Sequence, residues 1–235
     1  MKNSKTKSNK SLIVTVAVLA VVLVALVACI VVSESDFYLS KPERGNLTSQ
    51  TAQEEATPEE MPNYDDVKEI EVVDTERKNV KVTMDDGQSF TICVYPDVAP
   101  QTAQNFLNLV RDGFYDGLTF HRIIDGFMAQ GGDPEGTGMG GSDTNIIGEF
   151  SQNGFENSLS HKRGVVSMAR SNHPNSASSQ FFICYDDASF LDGQYAAFGE
   201  VVSGMEVVDS FLESGTDEND RPLEEVKIAT VVVEE

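Results

Sequence analysis

Arg122 stands in a run of large apolar residues, Phe120-His121-Arg122-Ile123-Ile124, and the chain continues as Asp125-Gly126-Phe127-Met128-Ala129-Gln130-Gly131-Gly132-Asp133-Pro134. If Phe127–Gln130 is a strand, side chains alternate between faces, and Met128 and Gln130 share one of them. An arginine among Phe, Ile and Met either carries its charge out to solvent or aims it into a groove. Taken alone, a surface charge is the plainer reading. The chemistry open to a groove arginine is narrow. A guanidinium keeps its charge and donors without any pKa tuning, so it can stabilise developing electron density with no proton transfer.

Other chemistries find little support. Ser178 and Ser179 lack a base at recognisable spacing, and His121 flanks the arginine but points away from it by alternation, which reads as structural. The three histidines (His121, His161, His173) are scattered, and no Cys/His spacing resembles a zinc site. Residues 136–141 satisfy G-x-G-x-x-G, but a dinucleotide site needs a strand before the motif and a helix after it. Here Gly-Gly-Asp-Pro-Glu precedes it and Ser-Asp-Thr-Asn follows, so a surface loop is expected. Asp217-Glu218-Asn219-Asp220 lacks the alternating ligands and final Glu of a calcium loop and reads as a solvated turn. No cofactor or metal is expected.

The elements that must position Arg122 are mostly short strands. Val80, Val82 and Met84 alternate with polar residues, Asp85-Asp86-Gly87 follows, and Phe90, Ile92 and Val94 alternate again. Asp-Gly between alternating runs predicts a hairpin. Ala103, Phe106, Leu107 and Val110 have the spacing of a one-faced helix closed by Gly113, and a second helix is expected near Met205–Glu213. Further strands are expected at 115–124, 127–132, 164–169, 180–185 and 196–202, with a last one through Val226, Ile228 and Val231–Val233. With no alternating βαβ rhythm, this pattern predicts a mainly β fold, a closed eight-stranded antiparallel barrel capped by two α-helices.

The run from Phe120 to Pro134 resembles the cyclophilin signature. Gly164-Val165-Val166-Ser167-Met168-Ala169-Arg170, then Asn175-Ser176-Ala177-Ser178-Ser179-Gln180-Phe181-Phe182-Ile183, resembles a second block of that family. Phe190-Leu191-Asp192-Gly193-Gln194-Tyr195 with Phe198-Gly199 resembles a third, and the blocks come in family order. The resemblance covers about residues 67–235. It implies a peptidyl-prolyl cis/trans isomerase, with an external groove for proline-containing polypeptides and an eight-stranded barrel. By matching position it makes Arg122 the catalytic residue. Phe127, Met128, Phe182 and Leu191 would line the proline pocket. Gln130 and Gln180 would contact substrate backbone or steady the arginine. Ala169 and Arg170 would form groove wall. Phe190 stands where many relatives have Trp, a position that contributes to cyclosporin binding, so sensitivity to that drug is not carried over with the rest. Arg170 replaces a common Asn, and Tyr195 a common His at the pocket rim. A binding module that uses the same groove as a chaperone or adaptor, with incidental catalysis, is the alternative.

Residues 12–32 are 21 consecutive residues without a charge, nearly all Val, Leu, Ile and Ala. That length crosses a hydrocarbon core of roughly 30 Å as a helix. Lys2, Lys5, Lys7 and Lys10 precede it in residues 1–11, and no basic residue follows until Lys41, so the lysines are expected in the cytoplasm and the remainder outside. Leu26-Val27-Ala28-Cys29 also resembles a bacterial lipobox, in which Cys29 would be lipidated. Both a transmembrane signal anchor and a lipoprotein signal imply a bacterial cell membrane with the domain extracytoplasmic. Residues 33–66 are rich in Ser, Thr, Glu, Gln, Asn and Pro and read as a disordered linker to the domain over 67–235. After residue 32 the chain holds 13 basic against 38 acidic residues. Such a domain repels phosphate backbones, so nucleic acid is not expected as a partner. Cys93 and Cys184 sit in apolar strand-like segments and are expected as buried free thiols. The domain is expected to be monomeric.

Overall fold

The computed structural model describes residues 67 and 69–234; the basic segment, the apolar run with Cys29 and the linker over 33–66 lie outside the described residues. Among the described residues no helix is long and apolar enough to cross a membrane. The order is β1 (Lys78–Met84), β2 (Ser89–Val94), α1 (Pro100–Arg111), β3 (Thr119–Ile124), β4 (Met128–Asp133), β5 (Val165–Met168), β6 (Phe181–Cys184), β7 (Ala197–Ser203), α2 (Met205–Ser210) and β8 (Ile228–Val233). The Asp-Gly hairpin is present, with Gly87 at φ +86° closing β1 onto β2. Strand β3 begins at Thr119 rather than 115, because residues 113–118 form turns in which Gly113 and Gly117 both take left-handed φ. The second helix stops at Ser210 and tightens into a 3-10 turn over Phe211–Ser214.

All eight strands form one antiparallel sheet in the order β3-β4-β6-β5-β7-β2-β1-β8. Alternate residues feed one apolar core. Phe106 of α1 packs on Tyr115, Phe181 and Phe198 with ring centroids 5.2, 5.6 and 5.0 Å away. Phe211, beyond α2, packs on Phe90 and Phe120 at 6.3 and 4.9 Å. Such offset and edge-on pairs are the favoured geometries of aromatic rings. The N-terminus of α1 has no cap from its own flanking residue. Instead the buried Glu149 accepts hydrogen bonds from the backbone N–H groups of Gln101 (3.0 Å) and Thr102 (2.8 Å). A carboxylate there satisfies two orphan donors and faces the positive end of the helix dipole.

The barrel is not closed by a ladder. Strands β3 and β8 are the two edges of the sheet, and they meet only through an isolated bridge, Thr119 with Lys227, just before β8 begins. The Phe120 N–H donates to the Val226 carbonyl (2.9 Å), and the Ile123 N–H donates further along to the Asp220 carbonyl (2.8 Å). Pro222 has no N–H to give a ladder, and Asp220 takes φ +62°, so the segment before β8 covers the edge of β3 as a loop. The expected closed barrel is thus a curled, open sheet whose seam is filled by residues 216–227.

Candidate active site

Strict alternation would put Phe120 and Arg122 on one face, yet Phe120 is buried in the core and Arg122 is exposed. The register of β3 on β4 shifts between these two residues. This β-bulge at His121 lets Phe120 and Ile123 both enter the core and turns Arg122 to the outer face. Register then sets a row across the sheet: Arg122 opposes Gln130 on β4, Gln130 opposes Phe182 on β6, and Phe182 opposes Ser167 on β5. In the next row Ile124, Met128 and Cys184 align.

These outward side chains build a second, smaller apolar cluster of Met128, Phe182, Cys184, Ala188 and Leu191, flanked by Ile124, Phe127, Ala169 and Tyr195. Above it lies a hollow of about 260 Å³ lined by Arg122, Phe127, Met128, Gln130, Ala169, Arg170, Phe182, Leu191 and Tyr195. Nine of the expected site residues therefore meet in one place. Phe190 stands outside the hollow at the rim, 64% exposed, with its ring 5.6 Å from that of Phe127. Gln180 is also outside. It accepts from Gln130 Nε2 (2.8 Å) and donates to the carbonyls of Gly138 (3.1 Å) and Gly140 (2.7 Å). Neither glutamine has a hydrogen bond to Arg122 among the described residues, which leaves of the two expected roles the contact to substrate backbone. Gln180 anchors the glycine loop at 136–141. That loop is also held by Asp133, which accepts from the backbone of Glu135, Thr137 and Gly138. A Cβ at Gly140 would lie 2.2 Å from Asp133 Oδ1, which accounts for that glycine.

Arg122 is 44% exposed and makes two long contacts, from Nε (3.4 Å) and Nη2 (3.3 Å) to Asp220 Oδ2. Arg170 is held more firmly. Its Nε and Nη2 donate to the Gln194 carbonyl, Nη1 donates to the carbonyls of Ser171 and Asn172, and the guanidinium lies 4.7 Å from the centroid of the Tyr195 ring. Behind the hollow, His161 is buried and stacks on Phe182 (6.0 Å). Its Nδ1 lies 2.8 Å from Asp192 Oδ1 and its Nε2 2.9 Å from Ser167 Oγ. Burial lowers the His161 pKa below the ordinary value, against the pull of Asp192. Ser167 has no exposed surface, so this Ser-His-Asp chain has no substrate to act on; it holds residues 188–192 against the back of the pocket. The sequence offered no local signal for it, since its members are 31 and 6 residues apart from His161. Both described cysteines are free thiols; Cys184 is buried as expected, whereas Cys93 is only half-buried, and burial pushes the Cys184 pKa up to about 12.

The hollow sets a cationic fork beside an apolar floor. The family model described as cyclophilin type peptidyl-prolyl cis-trans isomerase/CLD matches residues 79–233. The chain belongs to the cyclophilin family. It is 46% identical over 141 residues to peptidyl-prolyl cis-trans isomerase CYP18-1 of Arabidopsis thaliana, covering 60% of this chain and 86% of that one. It is 45% identical over 140 residues to the isomerase ppi1 of Schizosaccharomyces pombe, covering 59% and 88%. Among solved structures, a Cryptosporidium parvum cyclophilin type isomerase superposes with a TM-score of 0.62 at 31% identity, covering 68% of this chain and 99% of that one. The same Cryptosporidium protein has been solved in the presence of the dipeptide Ala-Pro, with a TM-score of 0.61. This cyclophilin is accordingly a peptidyl-prolyl cis-trans isomerase, and its open sheet with two helices is the cyclophilin fold.

Proposed function

We propose that this cyclophilin binds the proline ring of a polypeptide in the hollow over Met128, Phe182 and Leu191, and that Arg122 is its catalytic residue. The carrying observation is that Arg122 shares that hollow with this apolar floor, the bulge at His121 having turned it outward. No bond is broken in the reaction. The barrier is lost amide resonance, roughly 18–20 kcal/mol for a peptide bond, and uncatalysed Xaa-Pro exchange takes on the order of tens to hundreds of seconds. Acceleration requires only that the twisted amide bind more tightly than either planar form. At the twist the proline nitrogen becomes pyramidal and regains a lone pair. Arg122 donates to that nitrogen, and the apolar floor holds the ring while the preceding carbonyl swings. The neighbouring hollow lined by Gln130, Ala169, Arg170 and Gln180 takes flanking peptide; Arg170 borders both hollows, and Gln180 belongs to this second one alone. Phe190 and Tyr195 form the rim.

The domain is proposed to act extracytoplasmically as a monomer, tethered to a bacterial cell membrane by residues 12–32 through the linker over 33–66. Support for this comes from the 21 uncharged residues, the four lysines before them and the lipobox-like run ending at Cys29. The deciding experiment on the chemistry is a proline-limited refolding assay with wild type and Arg122→Ala at saturating protein. A large loss with retained peptide binding is expected; equal rates would leave only a proline-binding chaperone. Intact-mass measurement of the mature chain, with Cys29→Ser as control, separates helix from lipid anchoring.

A further inference from the structure

Arg122 needs something to aim it, and its ladder partner Gln130 is engaged elsewhere, with Gln180. We propose that Asp220 is a positioning residue for Arg122, holding one edge of the guanidinium so that the other edge faces the proline pocket. Arg122 Nε and Nη2 both reach Asp220 Oδ2, at 3.4 and 3.3 Å, and no other hydrogen bond engages this guanidinium among the described residues. Placing a carboxylate there required an unusual backbone. Asp220 has φ +62° and is the one non-glycine residue with positive φ among those described. Asp tolerates that region better than most residues, but glycine occupies it with less strain.

The loop around Asp220 is built to present it. The Asp220 carbonyl accepts from Ile123 N–H (2.8 Å), the residue directly after the arginine, so the loop is registered against β3 at the site itself. Asp217 Oδ1 accepts from the backbone of Asn219 (2.8 Å) and Arg221 (3.0 Å), and the Asp220 N–H donates to the Asp217 carbonyl (3.1 Å). Arg221 Nη2 ties the loop to the Gly136 carbonyl (3.2 Å). The failure of β3 and β8 to pair is therefore what delivers the acid: a ladder continued along β3 would have placed strand backbone where residues 216–222 now lie. Strained backbone held by surrounding contacts is a recurring mark of functional positions.

The inference rests on Arg122 as the catalytic group, and the test separates the two. Turnover and KM are measured on a proline-containing peptide, together with the thermal unfolding midpoint, for Asp220→Gly, Asp220→Asn, Arg122→Ala and the double variant Asp220→Gly/Arg122→Ala. Asp220→Gly is expected to lower kcat about two- to fivefold with KM little changed, the range an exposed ion pair supports. Its unfolding midpoint is expected not to fall, because glycine is at ease at this φ. Asp220→Asn keeps an acceptor at the same place and is expected to restore kcat toward wild type. In the Arg122→Ala background, Asp220→Gly is expected to have no further effect on kcat. The proposal is overturned by unchanged or raised kcat in Asp220→Gly, by a loss that tracks a lower midpoint, or by a loss of equal size without the arginine. Wild-type turnover in Arg122→Ala alone would instead remove the arginine mechanism on which the proposal stands.

Discussion

Phe181 and Phe182 are adjacent, chemically identical and nearly fully buried, at 2% and 5% exposure, and they belong to different regions of the molecule. Phe181 enters the main core, where its ring meets those of Phe106, Tyr115 and Phe120. Phe182 faces the other way and forms part of the small cluster beneath the hollow that holds Arg122. The difference teaches that burial alone does not separate scaffold from site in this cyclophilin. Strands β4 and β6 spend alternate residues on each, Ala129, Phe181 and Ile183 inward, Met128, Phe182 and Cys184 outward. One row holds the strands in place so that the other can hold a ligand.

The sharpest break between the two regions is expected at Arg122. Arg122→Ala should lower kcat/KM about 10²–10³-fold, the scale for removing one donor aimed at a transition state. The unfolding midpoint should hardly move, since Arg122 and Asp220 are 44% and 41% exposed and such pairs contribute little to stability. The two phenylalanines come next. Phe181→Ala should destabilise the fold by about 3–5 kcal/mol, leaving KM of the folded protein close to wild type. Phe182→Ala should raise KM about tenfold or more by removing pocket floor. Denaturant titration and peptide kinetics on the same preparations decide it; equal KM values for both variants would erase the distinction between inner and outer faces.

Much of this division was legible in the sequence, because it follows from period-two patterning and short turns. The β1–β2 hairpin was marked by Asp86-Gly87 and α1 by Ala103, Phe106, Leu107 and Val110, while the nine residues that line the hollow stood in the blocks resembling the family. What was not legible depends on contacts far apart in the chain. Glu149 caps α1 from 48 residues away from Gln101. Asp220 reaches Arg122 across 98 residues, and its run Asp217–Asp220 looked like an ordinary solvated turn. The bulge at His121 breaks strict alternation, so no periodic reading could place Phe120 and Arg122 on opposite faces. Closure of the barrel was expected from strand count, whereas Pro222 and the backbone of Asp220 prevent the last ladder.

The pH axis carries a smaller effect. Burial lowers the pKa of His161 and of His121 below 6.5, with Asp133 opposing the shift at His121 and Arg221 and Arg122 adding to it. A depressed folded pKa means that the unfolded chain binds the proton more readily. The contribution to stability is therefore fully present above about pH 6.5 and is lost as pH falls toward the folded values. Unfolding free energy measured in denaturant from pH 7.5 down to 5 should decline accordingly, and a flat profile would show that neither imidazole is held neutral by the fold.

The two histidines should then part company. His161 is satisfied at both nitrogens, by Asp192 and Ser167 behind the pocket, whereas neither ring nitrogen of the buried His121 has a partner among the described residues. Replacing a polar group that has no partner by an apolar one of similar size removes a desolvation penalty without leaving anything unpaired. His121→Leu should therefore be neutral or stabilising by up to about 1 kcal/mol at pH 7.5, and it should flatten part of the acid decline. Removing the His161 ring would leave the buried Ser167 hydroxyl without that partner and take one bond from Asp192, which keeps those from Ser160 Oγ and the backbone N–H of residue 161, so His161→Leu should destabilise at every pH and loosen residues 188–192, raising KM. If His121→Leu were instead the more damaging of the two, the bulge beside Arg122 would depend on its imidazole, and the structural reading of that residue would have to give way to a role in shaping the site.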